Sequence, residues 1–90
     1  MFHYVYVLES LKNKKSLYVG FTADLRKRLL EHNRGANFST KPYLPWKVVY
    51  YEACLNRTDA VRREKYLKTN QGARLLKRRL KEYIYAKKFA

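Results

Sequence analysis

Two short segments near the start of the chain, each rich in β-branched and aromatic residues, constrain the fold more than any other feature. They are HYVYVL at residues 3–8 and SLYVGF at residues 16–21, and such compositions are typical of β-strands. The polar segment between them is short and contains Asn13, which favours a turn, so the two strands are predicted to form an antiparallel hairpin. A third segment, WKVVYYEA at residues 46–53, predicts a third strand.

One helix and an irregular loop are predicted between the second and third strands. The side-chain oxygen of Thr22 or Asp24 can accept a backbone N–H of the first turn, so the helix is expected to begin there. It is expected to run to about Asn33 and to end at Gly35, which can adopt the left-handed backbone conformation. The loop at residues 35–45, GANFSTKPYLP, contains two prolines that exclude regular structure.

Two more helices are predicted after the third strand. Asn56 opens the first, with an acid three positions later as in a capping box, and this helix is expected to run to about Thr69. Gly72 is expected to break the helical run, and the last helix is expected over residues 73–85. The order β-β-α-β-α-α predicts an α+β fold, in which three helices flank a small three-stranded antiparallel sheet. Ninety residues are expected to form one domain, residues 1–90.

The charge of the chain indicates a polyanionic partner. The sequence contains 21 lysine and arginine residues against 7 aspartate and glutamate residues, which gives a net charge of +14. Self-repulsion at this charge destabilises a compact chain, and a polyanion would relieve it. Nucleic acid is the leading candidate, with an anionic membrane or an acidic protein as alternatives. From residue 57 onward there are 12 basic and 3 acidic residues, so the last two helices are expected to face phosphates.

The single cysteine and the N-terminal segment indicate the compartment. Cys54 alone cannot form an internal disulfide bond or a zinc site built from several cysteines. The first ten residues contain a short apolar run without a basic lead-in, which is typical of neither a signal peptide nor a membrane span. These features predict a cytoplasmic protein without a membrane partner.

Glu64 is the residue that simple helix packing explains least. Helical periodicity places it on the same face as the apolar residues Ala60, Val61 and Leu67. A carboxylate on the core side of a helix is costly unless it is paired or bound to a cation. One interpretation is an ion pair with Lys68 at i,i+4, or a head group in water at the edge of the stripe. The other is a ligand that holds Mg²⁺ against a phosphate.

Arg28 and His32 stand four residues apart and share a face of the first predicted helix. Leu25 and Leu29 lie on the neighbouring face and are expected to contact the core. An arginine one turn from a histidine can clamp a phosphate and offer a proton-transfer group near neutral pH. A solvated helix face is the simpler interpretation of the same pair.

Three tyrosines, Tyr4, Tyr6 and Tyr18, lie on the predicted hairpin. Tyr4 and Tyr6 point to the same face, because side chains alternate along a strand. Each is expected to pack at an edge of the core, and a buried hydroxyl would need a partner such as a phosphate oxygen or water.

Several basic residues on the loop and late helices are candidates for contact with a nucleic-acid backbone. The last predicted helix is amphipathic, and few acidic residues lie near its basic side, so phosphate contact is favoured there. Ser39 and Thr40 in the loop are further candidates. The basic candidates are Lys41, Arg62, Lys68, Arg74, Lys77 and Arg78.

Taken together, these residues resemble the GIY-YIG nuclease family. Its first motif corresponds to Tyr4-Val5-Tyr6 and its second to Tyr18-Val19-Gly20, followed by a helix-borne arginine and histidine and by a metal-binding glutamate. The resemblance covers about residues 4–80 and is closest to the short stand-alone bacterial members, through STKPYLPW in the loop and RREKYLK in the first of the two late helices. Five matching positions in order, on a fitting β-β-α-β-α layout, make the resemblance specific.

The resemblance implies a metal-dependent DNA endonuclease. Mg²⁺ or Mn²⁺ on Glu64 would hold a phosphodiester oxygen, and a water would attack in line with the leaving 3′ oxygen. Tyr6 and Tyr18 would position or deprotonate that water, His32 would assist proton transfer, and Arg28 would stabilise charge on the phosphate. Such catalysis consists largely of positioning and electrostatic stabilisation. A tyrosine pKa near 10 requires the metal and the arginine to lower it if the phenol is to act as a base.

The chain also departs from the family pattern. Tyr4 replaces the first motif's glycine, and the loop offers Lys41 where some members have a second histidine. Ninety residues leave no room for a separate DNA-binding domain, so the basic helices or a protein partner are expected to bring the substrate. Branched or damaged DNA, in repair or recombination, is the expected substrate. The alternatives are a catalytically silent nucleic-acid-binding module and a basic protein attached to RNA or the ribosome.

Overall fold

The computed structural model describes residues 1–88, and its centre is a three-stranded antiparallel sheet in the order β2-β1-β3. The α+β class and the predicted order of strands and helices are confirmed, with four helices in place of three. One turn of 3₁₀ helix, Lys41–Tyr43, interrupts the loop that was expected to be irregular. The elements are β1 (His3–Ser10), β2 (Leu17–Thr22), α1 (Leu25–Asn33), β3 (Trp46–Cys54), α2 (Arg57–Leu67), α3 (Asn70–Arg79) and α4 (Lys81–Lys88).

The central strand β1 divides the hydrophobic core into two layers. Val5 and Val7 point to what we call the α2 face, where they pack with residues of α2 and α3. Tyr6 and Leu8 point to the opposite side, the α1 face, where they pack with Trp46 and with residues of α1. All four of these β1 side chains are buried. Because alternation along β1 decides which residue enters which layer, a shift of one residue would exchange the two cores.

Helix α1 begins and ends where the sequence predicts. Of the two candidate caps, Asp24 is the one used, since its Oδ1 accepts the backbone N–H of Lys27 at 3.0 Å. Gly35 follows the helix with φ of +76°, a conformation that side chains rarely allow. Leu25 and Leu29 pack against the α1-face core as expected.

The predicted helix over residues 73–85 is wrong in its start and its continuity. Helix α3 begins at Asn70, because Thr69 caps it by accepting the Gly72 N–H at 3.1 Å, and the chain turns at Leu80 before α4 begins. The turn orients α4 so that Tyr83 donates a hydrogen bond of 2.7 Å to the carboxylate of Glu9, which is buried on β1. No glycine or proline marks this turn in the sequence. A contact with Glu9, a distant residue on β1, holds α4 in its orientation instead.

Gly72 lies inside α3 and does not break it. A Cβ at this position would lie 2.1 Å from the carbonyl oxygen of Tyr66 and 2.5 Å from Cα of Leu67. Both atoms belong to the backbone of the end of α2, which cannot yield as a flexible side chain would. The glycine therefore permits α2 and α3 to pack in close contact.

Within residues 1–88, no helix has the length and apolar character needed to cross a membrane.

Gly72→Ala is expected to destabilise the protein by about 2–3 kcal/mol, because the added methyl group overpacks a rigid contact. In an ordinary helix interior the same substitution stabilises by roughly 0.5–1 kcal/mol. Chemical denaturation followed by circular dichroism measures the difference. Gln71→Ala, at the exposed neighbouring position, serves as the control and is expected to change stability little. A gain in stability for Gly72→Ala would contradict the close packing of α2 on α3.

Candidate active site

A row of hydrogen-bonded side chains lies beneath the α1 face of the sheet. The hydroxyl of Tyr6 and Nε2 of His32 are 2.9 Å apart, and Nδ1 of His32 is 2.8 Å from the hydroxyl oxygen of Thr40. The three residues come from β1, from α1 and from the loop after α1. All three are buried, and His32 has no exposed surface. The imidazole is therefore held at both of its nitrogens, away from bulk water.

Helix α1 presents His32 to the core together with Leu25 and Leu29. These residues are spaced at i, i+4 and i+7, which is the spacing of one helical face. The solvated-face interpretation is therefore wrong for His32. Arg28 lies at the edge of that face, where its guanidinium pairs with Glu31 at 3.1 Å and keeps 36% of its side chain exposed.

Gly20 provides the space that the phenol of Tyr6 occupies. The two residues are direct partners across the β1–β2 hairpin. A Cβ at residue 20 would lie 2.5 Å from the hydroxyl oxygen of Tyr6 and 3.1 Å from Cε2 of Tyr18. Any side chain at this position would therefore push the two tyrosines away from their present places.

Tyr18 lies between the buried row and the surface. Its half-buried ring is 5.1 Å from the imidazole of His32 and 6.4 Å from the ring of Tyr6, between centroids. On its other side, Nζ of Lys68 lies 5.7 Å from the Tyr18 ring centroid. The ring thus lies near His32 of α1 and near Lys68 at the end of α2.

Glu64 reaches this site from α2, the helix on the opposite side of the sheet. Its carboxylate accepts a hydrogen bond of 3.1 Å from Lys68, so the predicted i,i+4 pair is present. Lys68 also lies over Tyr18 on the edge strand β2, so the Glu64–Lys68 pair lies at this edge of the sheet. Direct contacts join Tyr6, Tyr18 and His32. Arg28 and Glu64 lie near enough for their charges to act on the phenol of Tyr6.

The electrostatics of the buried row favour neutral groups. Burial raises the pKa of Tyr6, and the nearby Arg28 guanidinium opposes this only in part. Burial also lowers the pKa of His32, and the positive charge of Arg28 lowers it further. The net effect on Tyr6 is the reverse of the shift that a tyrosine base needs, so at neutral pH this row consists of a phenol and an uncharged imidazole.

The six predicted phosphate contacts are all exposed: Lys41, Arg62, Lys68, Arg74, Lys77 and Arg78. Arg62 pairs with Asp59 at 3.2 Å, and Lys68 pairs with Glu64. Thr40, by contrast, is buried, so the prediction that it contacts phosphate is not consistent with its position.

Sequence reasoning missed the supporting role of the loop. The carbonyl of Thr40 accepts a hydrogen bond of 2.9 Å from the indole of Trp46, and Asn33 bonds both backbone groups of that tryptophan. These contacts hold the loop against the end of α1. The only signal in the sequence is that STKPYLPW combines a small hydroxyl residue with an aromatic six positions later, which does not by itself reveal a contact with a histidine.

The donor set of the site fits one divalent ion held by few protein ligands. Among residues 1–88 no group of three His, Cys, Asp or Glu side chains could hold a metal. Mg²⁺ usually keeps several waters and binds through one or two carboxylates together with phosphate oxygens. Glu64 suits that role, because Lys68 bonds only its Oε2 and 15% of the side chain is exposed. Its other oxygen, Oε1, can therefore bind an ion.

The neutral, buried state of His32 predicts a pH dependence of stability. The imidazole binds a proton near pH 6.5 in the unfolded chain but resists it in the fold, so stability falls as the pH drops below that value. We expect a loss of up to about 1.4 kcal/mol per pH unit between about pH 6.5 and 5.5. Denaturant titrations at several pH values measure this loss. His32→Gln should lack this component and His3→Gln should keep it, and an equal slope in both variants would contradict the prediction.

Comparison with known proteins identifies the family of this chain. A family model for the GIY-YIG catalytic domain matches residues 2–79. A UPF0213 protein of Clostridium perfringens is 38% identical over 90 residues, which cover 94% of this chain and 95% of that protein. A UPF0213 protein of Haloquadratum walsbyi is 36% identical over 69 residues, which cover 76% of this chain and 75% of that protein.

A solved structure of another UPF0213 protein is similar to this fold. The solution structure of a UPF0213 protein from Bacillus halodurans is 30% identical, with a TM-score of 0.50 over 84% of this chain and 82% of that one. Proteins with the matched domain are typically endonucleases and generally depend on a divalent metal. The family-model match over residues 2–79 and these relatives therefore confirm the resemblance, and this chain belongs to the GIY-YIG family.

Proposed function

We propose that this protein is a divalent-metal-dependent endonuclease that hydrolyses phosphodiester bonds in DNA. The observation that carries the proposal is the convergence of five side chains from β1, β2, α1 and α2 on one edge of the sheet. A protein that only binds phosphates has no use for a carboxylate among its basic residues, since that charge repels the ligand. The match to a nuclease family over residues 2–79 supports the same conclusion.

A phosphodiester would first meet the partly exposed side of the site. Arg28 and Lys68 present positive charge there, and the half-buried Tyr18 lies between the site's surface and its interior. In this proposal the guanidinium of Arg28 stabilises the charge that builds on the phosphate oxygens. A planar guanidinium suits this role because it can donate two parallel hydrogen bonds to one phosphate.

The buried row provides a route for the proton of the attacking water. The hydroxyl of Tyr6 can take that proton while it passes its own proton to Nε2 of His32, which is 2.9 Å away. The water oxygen forms the new bond to phosphorus, the bond from phosphorus to the 3′ oxygen breaks, and the departing 3′ oxygen takes a proton from solvent water. This exchange leaves Tyr6 neutral, so the raised pKa of its phenol does not prevent the role. Tyr18 positions the water.

Glu64 would hold the divalent ion, Mg²⁺ or Mn²⁺, in this proposal. A bound ion would supply positive charge that stabilises the charge on the phosphate. The chain's own contribution is to place the carboxylate at the edge of the sheet and to keep Lys68 beside it.

The net charge of +14 supports a nucleic acid as the substrate, since lysine and arginine bind its phosphates. The exposed arginines and lysines of α3 would contact the backbone of DNA on either side of the cut. Branched or damaged DNA, in repair or recombination, is the proposed substrate, and a protein partner would assist its delivery. A nucleic-acid-binding module without catalysis is the alternative.

Glu64→Gln is expected to reduce DNA nicking by about 100-fold or more, because the ion loses its carboxylate, while salt-dependent DNA binding persists. Removal of divalent ions with a chelator should have the same effect on the wild type. Nicking of a panel of single-stranded, duplex, flap and junction substrates measures the activity. Asp59→Asn, an exposed carboxylate on the same helix, is the matched control and should leave nicking unchanged. Full activity in Glu64→Gln, or cleavage without metal, would refute the assignment.

A triple substitution of Arg74, Lys77 and Arg78 to glutamine is expected to weaken binding and to flatten its salt dependence. Each lost phosphate contact should reduce the slope of log K against log salt by about 0.9 on duplex DNA. Fluorescence anisotropy at several salt concentrations measures that slope. The control triple, Lys12, Lys14 and Lys15 to glutamine, removes the same charge from the exposed β1–β2 turn. Equal effects of the two triples would show that net charge alone, and not a surface on α3, governs binding.

A further inference from the structure

We propose that Thr40 is a positioning residue that fixes the tautomer of His32, with the proton on Nδ1 and the lone pair of Nε2 directed at Tyr6. The hydrogen bonds of the structure support this assignment whether or not the protein cleaves DNA. Its kinetic consequence rests on the proposed function.

The bonding partners of the Thr40 hydroxyl determine the direction of its hydrogen bond. Its oxygen lies 2.8 Å from Nδ1 of His32 and 3.4 Å from the carbonyl oxygen of Asn37. A carbonyl oxygen can only accept, so Asn37 gives the single hydroxyl proton an acceptor other than Nδ1. In the proposed arrangement the Thr40 oxygen accepts a hydrogen bond, and Nδ1 of His32 carries the proton that donates it.

The proton on Nδ1 determines the state of the other imidazole nitrogen, Nε2. A neutral imidazole with its proton on Nδ1 has a free lone pair on Nε2. The hydroxyl of Tyr6 is 2.9 Å from Nε2 and therefore donates its proton to it. The opposite tautomer would direct an N–H at the phenol, and Tyr6 would then have no acceptor for the proton that it must pass on.

The protein holds Thr40 firmly enough to enforce this choice. Its backbone N–H donates to the carbonyl of Asn37 at 3.2 Å, and its own carbonyl accepts from the indole of Trp46 at 2.9 Å. The side chain is 1% exposed, so bulk water does not compete for Nδ1.

The charged and titratable groups around the imidazole are consistent with a neutral ring. They are Tyr6 from β1, Tyr18 from β2, and Arg28 and Glu31 from α1 itself. Arg28 disfavours a second positive charge, and Glu31 opposes this effect only in part because its carboxylate is paired with that guanidinium.

Nitrogen-15 NMR of the imidazole side chains tests the assignment without any need for activity. At about pH 7.5, where a histidine is neutral, His32 is expected to show a protonated Nδ1 and an unprotonated Nε2. The chain has one other histidine, His3, which provides an internal reference. Wild-type protein with the proton on Nε2 of His32 would overturn the proposal outright.

Two substitutions separate the hydroxyl from the volume of the side chain. Thr40→Val keeps the shape but cannot accept from Nδ1–H, so the Nδ1–H signature of His32 should be lost or mixed with the other tautomer. Thr40→Ser keeps the hydroxyl and should keep the wild-type pattern. If Thr40→Val does not fold, the wild-type and Thr40→Ser spectra still decide the matter, since loss of the pattern in Thr40→Ser would contradict the role of the hydroxyl.

Kinetics test the consequence for cleavage. Thr40→Val should lower kcat for nicking by about 10- to 100-fold with little change in KM, which is the range typical of a group that positions a proton-transfer residue. Thr40→Ser should restore most of kcat. An equal loss in both variants would overturn the positioning role. Absence of nicking in the wild type would refute the proposed function, and the NMR result would then still confirm or overturn the tautomer assignment.

Discussion

The hydrogen bond between the Tyr6 phenol and His32 is the interaction on which the rest of the site depends. It lies in the α1-face core, so the same contact contributes to folding and holds the imidazole of the candidate site. It requires that the partner strand carry no side chain at Gly20 and that α1 lie close enough for its histidine to reach β1. The position of the helix, the glycine of the hairpin and the loop that ends at Trp46 are therefore linked through one buried contact.

The edge position of β2 explains how residues from both sides of the sheet form one site. A central strand would separate α1 from α2, but an edge strand lets Lys68, which pairs with Glu64, reach Tyr18. The result is a division of roles within one site. Neutral, buried groups lie on the α1 face, and charged, partly exposed groups lie at the rim. Burial raises the pKa of Tyr6 and lowers that of His32. Ion pairs hold the charged groups at the rim in place.

Local signals in the sequence predicted much of this fold, and contacts between distant residues account for what they missed. Strand composition and the cap at Asp24 predicted the sheet and α1, because neighbouring residues decide them. The turn between α3 and α4 depends on the buried Glu9, which accepts from Tyr83 and pairs with Lys87, more than 70 positions away. Thr40 escaped detection for the same reason: a loop residue shows its contact with a helix only after the chain has folded.

The two tyrosine motifs of the hairpin carry unequal steric demands. In the second motif, Gly20 faces a phenol at a distance that no side chain can share. In the first, the place of the family's glycine is taken by Tyr4, whose ring instead packs edge-on against Tyr51, with 5.8 Å between centroids, at a less buried part of the sheet. In this fold the last position of the second motif therefore admits only glycine, whereas the first position of the first motif has room for a large aromatic side chain.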